Sequence, residues 1–223
     1  MSGLVVQNIT QRTTKEIRVG PLGLEAFLSI PVDARGLVVF AHGSGSSRFS
    51  PRNQFVAAEL QKAGLATLLF DLLLSAEADD RRRVFDIPLL AERVADVASW
   101  LGQYAETEDL NIGYWGSSTG AAAALVAAAQ RGSPARAIVS RGGRPDLAGL
   151  YLERVTAPTL LLVGGQDHEV IKLNKKAYAQ LKCLKSMKLI PGATHLFAEP
   201  GCLEQVVQLT TDWFCTYLDA GQN

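Results

Sequence analysis

Short apolar runs of strand length alternate with longer stretches of helical length along this chain from residue 37 onward. That alternation is the pattern of a parallel sheet covered by helices on both faces. The apolar runs predict strands at 15–19, 24–30, 37–41, 65–70, 110–115, 136–140, 159–163 and 186–190, and the segments between them predict helices at 53–63, 87–103, 119–131, 172–181 and 202–219. The first two strands are close enough to form an antiparallel hairpin. The expected class is therefore α/β, with a mostly parallel eight-stranded sheet. Segment 72–85 breaks the rhythm with Glu77, Asp79, Asp80, Arg81, Arg82 and Arg83 between a strand and a helix. Such a charged run predicts a solvated connection or short helix, with a substrate lid as the functional alternative. Asp86 then reads as an N-cap, with Pro88 in the first turn of the next helix. Neither a repeat nor a linker interrupts the chain, so one domain over residues 1–223 is expected.

Composition narrows the function classes. With 223 residues, 48% of them apolar, the chain can bury one substantial core. Its 22 basic and 22 acidic residues balance, which gives no electrostatic reason to expect nucleic acid or an anionic membrane as partner. A small-molecule substrate suits it better, in a monomer or homodimer. Residues 1–7 lack the basic lead and sustained apolar core of a signal peptide, and the apolar run 121–129 is too short to span a bilayer. Cys183, Cys202 and Cys215 form an odd set at spacings that match no zinc pattern. Free thiols in a reducing cytoplasm, and no metal or other cofactor, are the expectation.

The chemistry concentrates where predicted strands end. Gly116-Ser117-Ser118-Thr119-Gly120 lies between the strand at 110–115 and an alanine-rich helix. A serine between glycines at this spacing forms a sharp strand-to-helix turn that exposes its hydroxyl above the sheet. A side chain at Gly116 or Gly120 would crowd that turn, and a polar turn with a Ser or Thr cap is the plainer alternative. Two later strands end in Gly164-Gly165-Gln166-Asp167 and Pro191-Gly192-Ala193-Thr194-His195, so nucleophile, acid and base follow in the order Ser118, Asp167, His195. Serine needs a base to take its proton, and the base needs an acid to orient it. Asp146, after the preceding strand, is the alternative acid, with a turn or cap role as its structural reading. His168 adjoins Asp167 and reads as a loop residue.

Further upstream, the apolar strand at 37–41 runs into His42-Gly43-Ser44-Gly45-Ser46-Ser47. A His-Gly turn after the third strand supplies one amide to an oxyanion hole, and the residue after the nucleophile supplies the other. Ser44 and Thr119 are the candidates, with His42 as a structural hydrogen-bonding residue beneath. The glycines of this loop lack the Gly-Lys-Ser/Thr ending of a P-loop and break the dinucleotide pattern. Arg141 and Arg144 follow the strand at 136–140, at the end of the sheet where ligands of α/β folds collect, and are candidates to bind a substrate carboxylate.

The ordered set of His42-Gly43-Ser44-Gly45, Gly116-Ser117-Ser118-Thr119-Gly120, Gly165-Gln166-Asp167 and Gly192-Ala193-Thr194-His195 resembles the α/β-hydrolase superfamily over roughly residues 20–219. The compact size and the short route from the sixth to the seventh strand are most similar to the dienelactone hydrolase family. The resemblance implies cofactor-free hydrolysis of an ester, lactone or thioester, with Ser118, Asp167 and His195 as the triad. Founding members of that family carry cysteine in the elbow, where this chain has Ser118. Alternatives are a hydrolase-fold binding protein with an unused triad, or an acyltransferase or peptidase built on the same residues.

Overall fold

The computed structural model describes residues 13–219; residues 1–7, examined above for a leader, lie outside that range. Eight strands form one sheet: β1 (Thr13–Val19), β2 (Leu24–Ile30), β3 (Leu37–Ala41), β4 (Ala66–Phe70), β5 (Ile112–Ser117), β6 (Ala135–Arg141), β7 (Thr159–Gly164) and β8 (Lys185–Ile190). Their spatial order is β1-β2-β4-β3-β5-β6-β7-β8. β1 pairs antiparallel with β2, and β2 antiparallel with β4. Every pair from β4 to β8 is parallel. The chain therefore winds toward one edge through β4 and toward the other from β5. The crevice between the C-terminal ends of β3 and β5 is the switch point where open α/β sheets bind ligands.

β3 shows why the sheet takes helices on both faces. All five of its residues are buried. Leu37, Val39 and Ala41 join the core on one side, with Val94, Val97 and Leu125, while Val38 and Phe40 join the core on the other, with Val56, Val206 and Phe214. Each such side chain removed from water contributes roughly 1.5–3 kcal/mol. The covering helices are α1 (Pro51–Lys62), α4 (Ile87–Leu101), α5 (Thr119–Ala128), α6 (His168–Gln180) and α7 (Cys202–Leu218), with the short α2 (Ser75–Ala78) and α3 (Arg81–Val84) between β4 and α4. α4 buries Leu90, Ala91, Val94, Val97, Ala98 and Leu101, a stripe at helical spacing. Asp86 caps it by accepting from the Leu89 amide at 3.1 Å.

Several boundaries differ from the sequence expectation for physical reasons. β5 continues through Gly116 to Ser117, because the strand needs no side chain at Gly116 to keep pairing. α6 starts at His168, directly after Asp167; its first apolar contact comes only at Val170, so the first turn carries no periodic signal. Segment 72–85 resolves into α2 and α3, held by Glu77, which accepts from Arg83 at 2.6 Å and from the Leu74 amide at 3.0 Å. A 3-10 stretch, Pro145–Arg154, broken at Gly149, was not expected at all.

Candidate active site

Between Ile112 and Ala128 every residue except Ser118 is buried. The turn that lifts this serine out is tight. Ser118 has φ 51° and ψ −123°, a sparsely populated conformation that costs on the order of 1–3 kcal/mol and persists only where the surroundings enforce it. The glycines make it possible. A Cβ on Gly116 would lie 2.4 Å from the Ala121 Cα, and one on Gly120 would lie 2.2 Å from the Ala41 carbonyl oxygen. Gly43 lets the loop after β3 approach Ser118, since a Cβ there would lie 2.9 Å from the Ser118 Cβ.

β7 and β8 deliver the other two groups. Gly164 pairs with Ile190, and a Cβ on Gly164 would lie 2.5 Å from the carbonyl oxygens of both Ala193 and Thr194. The loop bearing His195 thus rests directly on the end of the strand that leads to Asp167. His195 Nδ1–H donates to Asp167 Oδ2 at 2.7 Å, an orientation that in the neutral imidazole leaves the lone pair on Nε2. The loop is fixed beyond the histidine by Glu199, which accepts from the Thr194 amide at 3.1 Å and from its hydroxyl at 2.5 Å. Asp146, the alternative acid, instead forms a bidentate pair with Arg144, at 2.9 and 2.8 Å. His168 is exposed at the start of α6.

Ser118 and His195 face a common cavity of 570 Å³ whose wall is formed largely by the 43–47 loop and the start of α1. Arg141 lines it, because the register Ser117↔Arg141 sets the end of β6 beside the elbow. Arg144 is not among the lining residues. The two arginines, equivalent in sequence, are separated by the turn at Gly142, whose φ is +50°. Of the backbone amides proposed from sequence, that of Thr119 directly follows Ser118, and that of Ser44 lines the same cavity and donates to Thr119 Oγ1 at 2.9 Å. His42 lies under the loop. Its Nδ1–H donates to the Gly43 carbonyl at 2.9 Å and its Nε2 accepts from the Leu72 amide at 3.1 Å. Desolvation holds its pKa below the ordinary histidine value.

Sequence reasoning missed Arg48, which anchors the loop. It is 8% exposed, and its guanidinium pairs with Asp71, with Glu25 at 2.7 Å and with Glu16 at 3.3 Å, while its amide donates to Asp71 at 2.7 Å. Its carboxylate partners are spread over 55 positions of sequence, from Glu16 to Asp71, and so leave no local signal. Arg52, which also lines the cavity, was missed because it looks like an ordinary first-turn residue. On the far side of the 42–47 loop a second, 240 Å³ cavity lies against Leu72, Leu73, Ala78, Val84 and Leu90.

A family model described as an alpha/beta hydrolase domain matches residues 34–208. The crystal structure of a dienelactone hydrolase from Anabaena variabilis ATCC 29413 is 52% identical, with a TM-score of 0.88 over 94% of this chain and 99% of that one. A carboxyl esterase 2 from Tuber melanosporum shares the fold at 18% identity, with a TM-score of 0.74 over 95% and 89%. Two curated proteins from Mycobacterium tuberculosis strains CDC 1551 / Oshkosh and ATCC 25618 / H37Rv, provisionally named phosphoribosyl transferases, are 55% identical over 203 residues. The match covers 91% of this chain but 46% of those relatives, so the chain spans about half their length.

Proposed function

Because this chain belongs to the α/β-hydrolase family, we propose that it is a serine hydrolase that cleaves a small ester, lactone or thioester through an acyl-enzyme on Ser118. One observation carries the reading: a strained serine and a carboxylate-oriented imidazole open onto one cavity. Ser118 Oγ attacks the carbonyl carbon as His195 Nε2 takes its proton. The bond to the leaving group then breaks, and the same nitrogen returns the proton to the departing oxygen or sulfur. Water repeats the sequence on the acyl-enzyme, releasing the acid and regenerating Ser118. Asp167 keeps the imidazole in the reactive tautomer and stabilises its cation. The amides of Ser44 and Thr119 receive the developing oxyanion, which takes the place of the Thr119 hydroxyl at the Ser44 N–H. Losing one such donor costs about 3 kcal/mol of transition-state stabilisation.

The name of the mycobacterial relatives concerns proteins of which this chain matches 46%, and the residues assembled here favour acyl chemistry. A neutral fluorophosphonate should form a single adduct at Ser118, and a panel of p-nitrophenyl esters, lactones and thioesters should then rank the acyl groups accepted. An adduct on Ser117 or Thr119, or none from folded protein that is active on the panel, would overturn the assignment.

A further inference from the structure

Two buried arginines are treated in opposite ways by this fold. Arg48, 8% exposed, is surrounded by three carboxylates. Arg141 is 5% exposed, yet among the described residues it has no ion pair, and its Nε makes no hydrogen bond. Its guanidinium carbon lies 5.2 Å from the centroid of the Phe197 ring. A guanidinium withdrawn from water without a counter-charge is costly unless something else completes it.

The surroundings indicate what completes it. Arg52, the second residue of the 12-residue helix α1, lines the same cavity and likewise has no ion pair among the described residues. Burial pushes the Arg141 pKa down to about 10, and the nearby Arg52 charge adds to that shift. The N-terminus of α1 opens onto this cavity through Ser50, Pro51 and Arg52, adding the positive end of a helix dipole. No acidic side chain lines the cavity among the described residues.

We propose that the Arg141–Arg52 end of the cavity is a phosphate-binding subsite, and that the substrate is an ester or thioester carrying a phosphomonoester group away from the scissile bond. A carboxylate carries one charge and is matched by one guanidinium fork. A dianion with oxygens in several directions can engage two guanidinium groups and a helix N-terminus together. The substrate part of this inference rests on the serine hydrolase reading; the binding subsite does not.

The test uses inorganic phosphate and acetate as probes, at constant ionic strength and pH 7.5, on wild type, Arg52→Gln and Arg141→Gln. Calorimetric titration gives binding without turnover, and the rate of fluorophosphonate labelling at Ser118 gives protection. Phosphate should bind at least tenfold more tightly than acetate, slow the labelling, and lose at least tenfold in affinity in each variant. Equal binding of the two anions would make the subsite a carboxylate site and overturn the proposal. So would absence of phosphate binding, or phosphate affinity unchanged in Arg52→Gln, the variant at the less buried position, which decides the matter should Arg141→Gln fail to fold. Arginine-dependent phosphate binding without any labelling of Ser118 would retain the subsite and remove the hydrolase reading. Labelling that phosphate does not slow would do the reverse.

Discussion

The backbone at Ser118 is bent before any chemistry begins, and an alanine there bears the same bend. Ser118→Ala should therefore leave the thermal midpoint within a few degrees of wild type while lowering kcat by at least about 10³-fold, since the nucleophile alone is lost. Asp167→Asn should lower kcat on the order of 10⁴-fold by fixing the wrong tautomer of His195. Asp146→Asn, which removes a carboxylate paired with Arg144, should change it less than about threefold; the reverse ranking in steady-state assays would move the acid. His42 gives a pH signature of its own. Its folded pKa is depressed, so the unfolded chain takes up a proton that the folded one refuses. Stability from this residue is complete above about pH 6.5 and falls as the pH drops toward the folded pKa, by up to about 1.4 kcal/mol per unit. Urea midpoints from pH 8 to 5 should show a slope that His42→Gln reduces. At this scale the placement of Ser118, Asp167 and His195 was legible because each follows a strand and lies near glycines. Arg141 and Arg144 were not separable, since both follow the same strand and only the fold shows Arg141 on the cavity and Arg144 paired with Asp146.

Elements meet at the site through glycine rather than through loops of special sequence. Gly164→Ala would set a methyl against two carbonyl oxygens of the loop bearing His195. The loop must shift, and a displacement of about 1 Å is worth about 10²-fold in rate. Steady-state kinetics should show that loss in kcat, with roughly 1–3 kcal/mol of stability lost in urea melts. Unchanged activity would mean that β7 and the loop after β8 are not rigidly coupled. The alternation of strands and helices was plain in the sequence because strands such as β3 and β7 are buried on both faces and so read as apolar runs. The 3-10 stretch at Pro145–Arg154 was not: Pro145, Ala148 and Leu152 are buried at helical spacing, but Gly149, at φ 52°, breaks the stretch in its middle, and so short an interrupted run reads as a turn.

For the whole molecule, Arg48 is the residue that joins the antiparallel margin of the sheet to the 43–50 loop. It ties Glu16 of β1, Glu25 of β2 and Asp71 after β4 to the segment that carries Ser44. Arg48→Ala leaves three carboxylates converging on an empty place. It should cost about 3 kcal/mol in urea denaturation and lower kcat as well, because the 43–50 loop loses its anchor. Stability lost without any change in kcat would confine Arg48 to the frame. The proposed reaction uses only side chains and backbone amides of this chain, so exhaustive chelation should leave ester hydrolysis intact; activity lost to chelator and restored by a divalent ion would replace the mechanism.

The hydrogen bond from the Ser44 amide to the Thr119 hydroxyl has a kinetic consequence for this reaction. At rest that amide already holds an acceptor that never diffuses away. A neutral ester carbonyl is no better an acceptor than a hydroxyl and gains little by displacing it, whereas a full negative charge on oxygen displaces it readily. In the proposed reaction the amide would therefore discriminate between bound reactant and tetrahedral adduct, the kind of interaction that raises turnover without tightening the Michaelis complex. Thr119→Val, which vacates the amide, should lower KM and leave kcat no higher.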